Sequence, residues 1–175
     1  MKACDNRAPL DIRNKGAWIE VERLRWSSLF KIPMSRDLPK GFPILTLSPM
    51  RALCALQIIA PEKLPVALDA LYAAFWVEAK SEVGKAEGFG PILEGVLGKE
   101  LTQKVLEGMN GKETKGRLMS NTDLALNDGA FGLPWWQCTN AEGKTESFWG
   151  FDHFGQVVDF LRVERSGQEG MRTML

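Results

Sequence analysis

Apolar positions in this chain follow a helical spacing for most of its length and then change rhythm near residue 129. From Asn14 to Phe30, Trp18, Ile19, Val21, Leu24, Trp26 and Leu29 lie mostly along one side of a helix, with Glu20, Glu22, Arg23 and Arg25 among them. Pro33 ends that helix, and a loop punctuated by Pro39, Gly41 and Pro43 follows. Ser48-Pro49 reads as the next helix opening, because serine caps well and proline at the first helical position has no amide to leave unsatisfied. Met50 to Ile59 is strongly apolar and predicts a buried helix, broken by Pro61. Glu62 to Glu82 predicts another, with a stripe of Leu64, Ala67, Leu68, Leu71, Ala74, Phe75 and Ala79. Pro91 to Leu97, Lys99 to Met109 and Lys112 to Asn127 complete a helical block. After Gly129, Trp135–Thr139 and Thr145–Trp149 are short aromatic and β-branched runs. The loop Asn140-Ala-Glu-Gly143 between them predicts a β-hairpin. Asp152 then opens a last helix with Val157, Val158, Phe160 and Leu161 inward, and the polar residues from Ser166 on predict disorder.

Composition narrows the class without choosing a function. The 175 residues are 45% hydrophobic and 25% charged, an ordinary globular balance. Twenty-two Lys and Arg against twenty-two Asp and Glu give no field that would draw nucleic acid or an anionic membrane. No apolar run has the length of a membrane span and no signal core follows Met1, so a soluble intracellular protein is expected. Cys4, Cys54 and Cys138 are widely spaced and odd in number, which suggests neither a disulfide framework nor a zinc site. Cys54, inside an apolar run, is expected to be buried, whereas Cys4 stands in a polar stretch.

A hairpin and helix entered through Gly129-Ala-Phe-Gly-Leu-Pro134 resembles the second half of a thioredoxin fold. Taken alone, Pro134 could simply begin an edge strand. Together with Phe148-Trp-Gly-Phe-Asp152 it closely resembles the C-terminal signature of kappa-class glutathione transferases. Asn6-Arg-Ala-Pro9 and Lys15-Gly16, after Met1-Lys2, are similar to that family's segment following its second strand. The resemblance runs from Met1 to about Leu161.

What the resemblance implies is an α/β, thioredoxin-like (DsbA-like) fold carrying a large inserted all-α domain. It divides the chain into 1–13 (the end of the N-terminal thioredoxin half), 14–128 (the inserted helical domain), 129–164 (the C-terminal half) and a tail, 165–175. Pro134 would follow a cis bond, with the backbone of Leu133 pairing with the cysteinyl unit of glutathione. Asn6 would help hold glutathione, and Lys15 would lie near the glycyl carboxylate. Phe151 and Asp152 match a Ser-Asp pair that grips the γ-glutamyl end; here phenylalanine replaces the serine. Asp152 is equally a reasonable helix N-cap. His153, the single histidine, stands where the family usually has arginine. The family's strand–helix–strand unit, with the serine that stabilises the glutathione thiolate, is expected to be absent from this chain, leaving Trp135–Thr139 with an open apolar edge.

The implied activity is conjugation of glutathione to a small electrophile, or reduction of peroxides with glutathione, in a homodimer without metal. Mitochondria or peroxisomes are the compartments the resemblance implies, and the cytoplasm is expected otherwise. The alternatives are a glutathione-dependent 2-hydroxychromene-2-carboxylate isomerase of the same superfamily and a non-catalytic remnant.

Overall fold

The structure is a computed structural model that describes residues 4–164. The expected disordered tail from Ser166, and Met1-Lys2 of the N-terminal resemblance, lie outside the described residues. The described chain is mostly helical, with one small antiparallel sheet. Its helices are α1 (Lys15–Phe30), α2 (Leu47–Ile59), α3 (Leu64–Tyr72), α4 (Ala86–Leu97), α5 (Lys99–Gly108), α6 (Lys112–Asn127) and α7 (Phe154–Leu161). The strands are β1 (Trp135–Thr139) and β2 (Thr145–Trp149). Among the described residues, no helix is long and apolar enough to cross a membrane.

The chain forms two compact units, Met1–Pro33 with Thr122–Leu175, and Met34–Asn121. This division differs from the boundaries expected at 14 and 128. The reason is aromatic: Trp26 and Phe30 of α1 meet Phe151 edge-on, with ring centres 5.5 and 5.4 Å apart, which draws α1 to the hairpin unit.

In the 34–121 unit, Ala52, Ala55 and Leu56 of α2 interlock with Ala67 and Leu71 of α3, Phe89 and Leu93 of α4, and Val105 and Met109. The alanines matter here, because they let the helices approach until Phe89, Leu56, Leu93 and Val105 are sealed from water. Cys54 is buried, as its apolar run suggested, and burial pushes its thiol pKa up against the opposing pull of Arg117.

Several helix boundaries depart from the pattern. The run from Glu62 to Glu82 is not one helix. A 3-10 turn at Pro61–Lys63 leads into α3, and a π turn at Ala73–Val77 widens its end. The Glu78 amide reaches back to the Ala73 carbonyl, and the Trp76 carbonyl accepts instead from the amide of Ser35. Ala79, at φ 54°, stops the helix. α4 begins at Ala86 rather than Pro91, so the proline sits inside it and removes one backbone donor. α2 begins one residue ahead of Ser48, with Thr46 at the N-cap and Pro49 in the first turn, where its missing amide still costs nothing.

The hairpin unit matches the expected strands. Trp135 faces Trp149, Gln137 faces Ser147 and Thr139 faces Thr145. Asn140 closes the turn by accepting from the amides of Glu142 and Lys144, both at 3.0 Å, and Gly143 takes a positive φ of 78°. One face of the hairpin meets α7 through Trp136 with Phe154 and Phe148 with Phe160. The expected stripe on α1 does not become a core, since none of its residues is buried. Trp18 remains 58% exposed, with the Arg25 guanidinium lying 5.3 Å from its ring. α7 starts at Phe154, with His153 rather than Asp152 at its N-cap position.

Candidate functional site

The segment Gly129–Pro134 is held at one end of the hairpin by four contacts that the local sequence makes possible. Asn6 donates from Nδ2 to the Phe131 carbonyl at 2.6 Å, while its Oδ1 accepts from the Arg7 amide at 2.8 Å. The Cys4 thiol approaches the same Phe131 carbonyl at 3.6 Å. The Phe131 ring packs against Trp149 and Trp135, with centres 4.8 and 5.9 Å apart. Gly132 is required by the indole of Trp149, since a Cβ there would lie 2.7 Å from Nε1.

Leu133 follows. Its side chain is 82% exposed and its bond to Pro134 is cis. Among the described residues, no hydrogen bond engages its amide or carbonyl. The Pro134 carbonyl accepts from the amide of Gly150 at 3.0 Å, which ties this segment to the chain leaving β2. Trp136 adds a bond from its indole to the Gly150 carbonyl at 3.3 Å. Gly150 has φ 91°, and a Cβ on it would lie 2.3 Å from Oδ1 of Asp152. The carboxylate is therefore folded back over a position that only glycine can fill.

Asp152 remains 68% exposed, with Oδ1 3.4 Å from Nδ1 of His153. It does not cap α7, whose N-cap position is His153 and carries no side-chain cap bond. The N-cap expectation fails because the helix begins one residue too late for that carboxylate to reach its free amides. Asn6 and Leu133 thus belong to one short stretch of structure, and Asp152 is connected to it through Gly150.

Phe151 is different. It packs edge-on against Trp26 and Phe30 and stacks on Phe154 at 6.1 Å. Together with Asp152, Trp18, Ile19, Glu22, Arg23 and Trp26 it lines a shallow groove beside α1. Lys15 opens α1 and lines a separate shallow surface with Arg13 and Trp18.

The residue that sequence reasoning missed is Asp128. Directly after α6, its carboxylate accepts from the Trp135 indole at 2.5 Å, from the Ser147 hydroxyl at 2.8 Å and from the Gln137 amide. These bonds, the indole first, hold its carboxyl below the ordinary carboxylate range. A signal was available: an aspartate at a helix C-terminus opposes the macrodipole and needs donors to compensate it. Among the described residues, no group of three or more His, Cys, Asp or Glu side chains is arranged to hold a metal.

The sequence is 29% identical over 176 aligned positions to glutathione S-transferase kappa 1 of Rattus norvegicus, covering 94% of this chain and 74% of that protein. It is 28% identical over 159 positions to glutathione S-transferase kappa 2 of Caenorhabditis elegans, covering 87% of this chain and 69% of the relative. The chain is a distant homologue of the kappa-class glutathione S-transferases. Glutathione S-transferase kappa 1 of Caenorhabditis elegans is 25% identical over 93% of this chain and 72% of its own length. No protein-family model matches the sequence. The kappa-class likeness extends over nearly all of the chain, so it includes the helical unit as well as the end motifs.

Proposed function

We propose that this chain binds glutathione as a kappa-class transferase does, at the end of the hairpin, as part of a thioredoxin-like fold with an inserted helical domain. The observation that carries the reading is the open backbone of Leu133 on a segment fastened by Asn6 and joined through Gly150 to the exposed Asp152 carboxylate. The Leu133 amide donates to, and its carbonyl accepts from, the peptide backbone around the cysteinyl unit, as an added strand would pair. The Asp152 carboxylate accepts from the γ-glutamyl ammonium, a charge-assisted bond. Asn6 acts mainly by fixing the Phe131 carbonyl, and so the path of the chain into Leu133. Phe151 supplies its backbone amide, while its ring belongs to the aromatic cluster with α1. The reaction is conjugation of glutathione to a small electrophile or reduction of a peroxide, in a homodimer.

Calorimetric titration of glutathione into the chain tests this. Binding is expected, and Asp152→Ala should weaken it by about 1–2 kcal/mol, at the low end for a charged hydrogen bond because the carboxylate is exposed. Unchanged affinity in that variant removes Asp152 from the site, and absence of binding to the unsubstituted chain overturns the reading.

A further inference from the structure

The helical unit contains a cavity that the glutathione reading does not use. It has a volume of about 260 Å³ and lies between α2 and α3. Leu53, Leu68, Leu71, Phe75 and Val83 are among the residues that form its walls, with Leu71 and Val83 themselves buried. No charged side chain lines it. It opens to solvent on the side where Thr46, Met50 and Tyr72 are exposed, and water inside it would find few polar partners.

Two structural features shape the space. The π turn at Ala73–Val77 carries Phe75, which lines the cavity and packs edge-on against Trp76, with Phe42 beside both rings. Such turns are frequent at functional sites, because the extra residue shifts side chains off the regular helical face. Thr46 and Tyr72 supply the only side-chain hydroxyls of the lining, and both residues are exposed. The Thr46 hydroxyl makes no capping bond to α2 although it occupies the N-cap position. The neighbouring Leu45 is 88% exposed and Leu47 is also exposed, so apolar surface continues outside the cavity.

We propose that this cavity binds an uncharged, mainly hydrocarbon small molecule, an arene or alkyl chain with a single hydroxyl or carbonyl directed to Thr46 and Tyr72. A neutral ligand follows from the lining, since a carboxylate or ammonium brought here would lose water and find no counter-ion. A small molecule fits better than a protein surface because the concave apolar walls admit a bicyclic body, whereas an approaching chain would fill them with only one side chain. Occupancy of this site requires nothing of glutathione.

Fluorescence titration of the full chain with N-phenyl-1-naphthylamine tests the assignment. Saturable binding of one molecule per chain is expected, with displacement by 1-decanol and at least about ten-fold weaker displacement by decanoate. Met50→Trp, which fills the cavity from its rim, should weaken the probe by at least about ten-fold. Leu68→Phe is the second filling variant should the first alter the helical circular dichroism. Met119→Lys, on an exposed side chain outside the lining, should leave binding unchanged. Thr46→Val should weaken 2-naphthol several-fold while sparing naphthalene. Probe binding that neither filling variant reduces overturns the site, and decanoate binding as tightly as decanol overturns its neutral character. Probe release as chain concentration rises, with sedimentation altered by Met50→Trp, would assign the face to a second copy instead.

Discussion

Asp128 shows how one side chain can hold a whole hairpin. Its carboxylate follows the negative end of α6 and is kept ionised there by three donors from β1 and β2. Because those bonds lower its pKa, the unfolded chain takes up the proton first as pH falls. The stabilisation is therefore complete above the ordinary carboxylate range and is lost as pH drops through the lower folded value. Asp128→Asn should flatten the acid limb of a melting-temperature profile followed by near-ultraviolet circular dichroism. A variant with the same acid limb as the parent would deny Asp128 this role. Phe151 belongs at this scale too. Phe151→Ser gives up two edge contacts and a stacked one, and thermal melts should show about 1–3 kcal/mol lost. At residue level, the sequence disclosed which side chains attract attention around Leu133 and Asp152. It could not disclose that Asn6 spends its amide on Phe131, 125 residues away, or that Asp152 lies over Gly150 rather than capping a helix.

Among the elements, α1 and α2 look alike on paper and differ in kind. Both carry many apolar residues, yet α2 buries Ala52, Cys54, Ala55 and Leu56 while α1 buries none. Leu56→Ala should cost about 2–5 kcal/mol by chemical denaturation, since the cavity it leaves cannot be reached by solvent. Val21→Ala on α1 should change stability by no more than about 0.5 kcal/mol. Equal losses at the two sites would mean that α1 is packed more firmly than its exposure indicates. Hairpin strands and helix α6 were legible, because alternation, a glycine-containing turn and a sustained helical period are local signals. The π turn after α3 was not. Within it the Trp76 carbonyl accepts from the amide of Ser35, 41 residues earlier, a partner that no local pattern reveals.

At the scale of the molecule, the 34–121 unit contains the interlocked core of α2, α3, α4 and α5. Expressed alone, residues 34–121 should melt cooperatively and keep slow amide exchange at Leu56, Phe89 and Val105; a gradual, non-cooperative melt would refute its independence. The sequence revealed a helical block followed by a hairpin, but not that the rings of Trp26, Phe30 and Phe151 meet across more than 120 positions of chain. The arrangement around Asp128 has one more consequence. Trp135, Gln137 and Ser147 share a face of the hairpin, since Gln137 stands opposite Ser147 and Trp135 lies two residues before Gln137. Were β2 to slip by a single residue, Ser147 would turn away towards α7 and Phe148 would be presented to the carboxylate. Asp128 thereby discriminates the correct alignment from its nearest error, acting as a built-in proofreader for a sheet too small to enforce its own pairing.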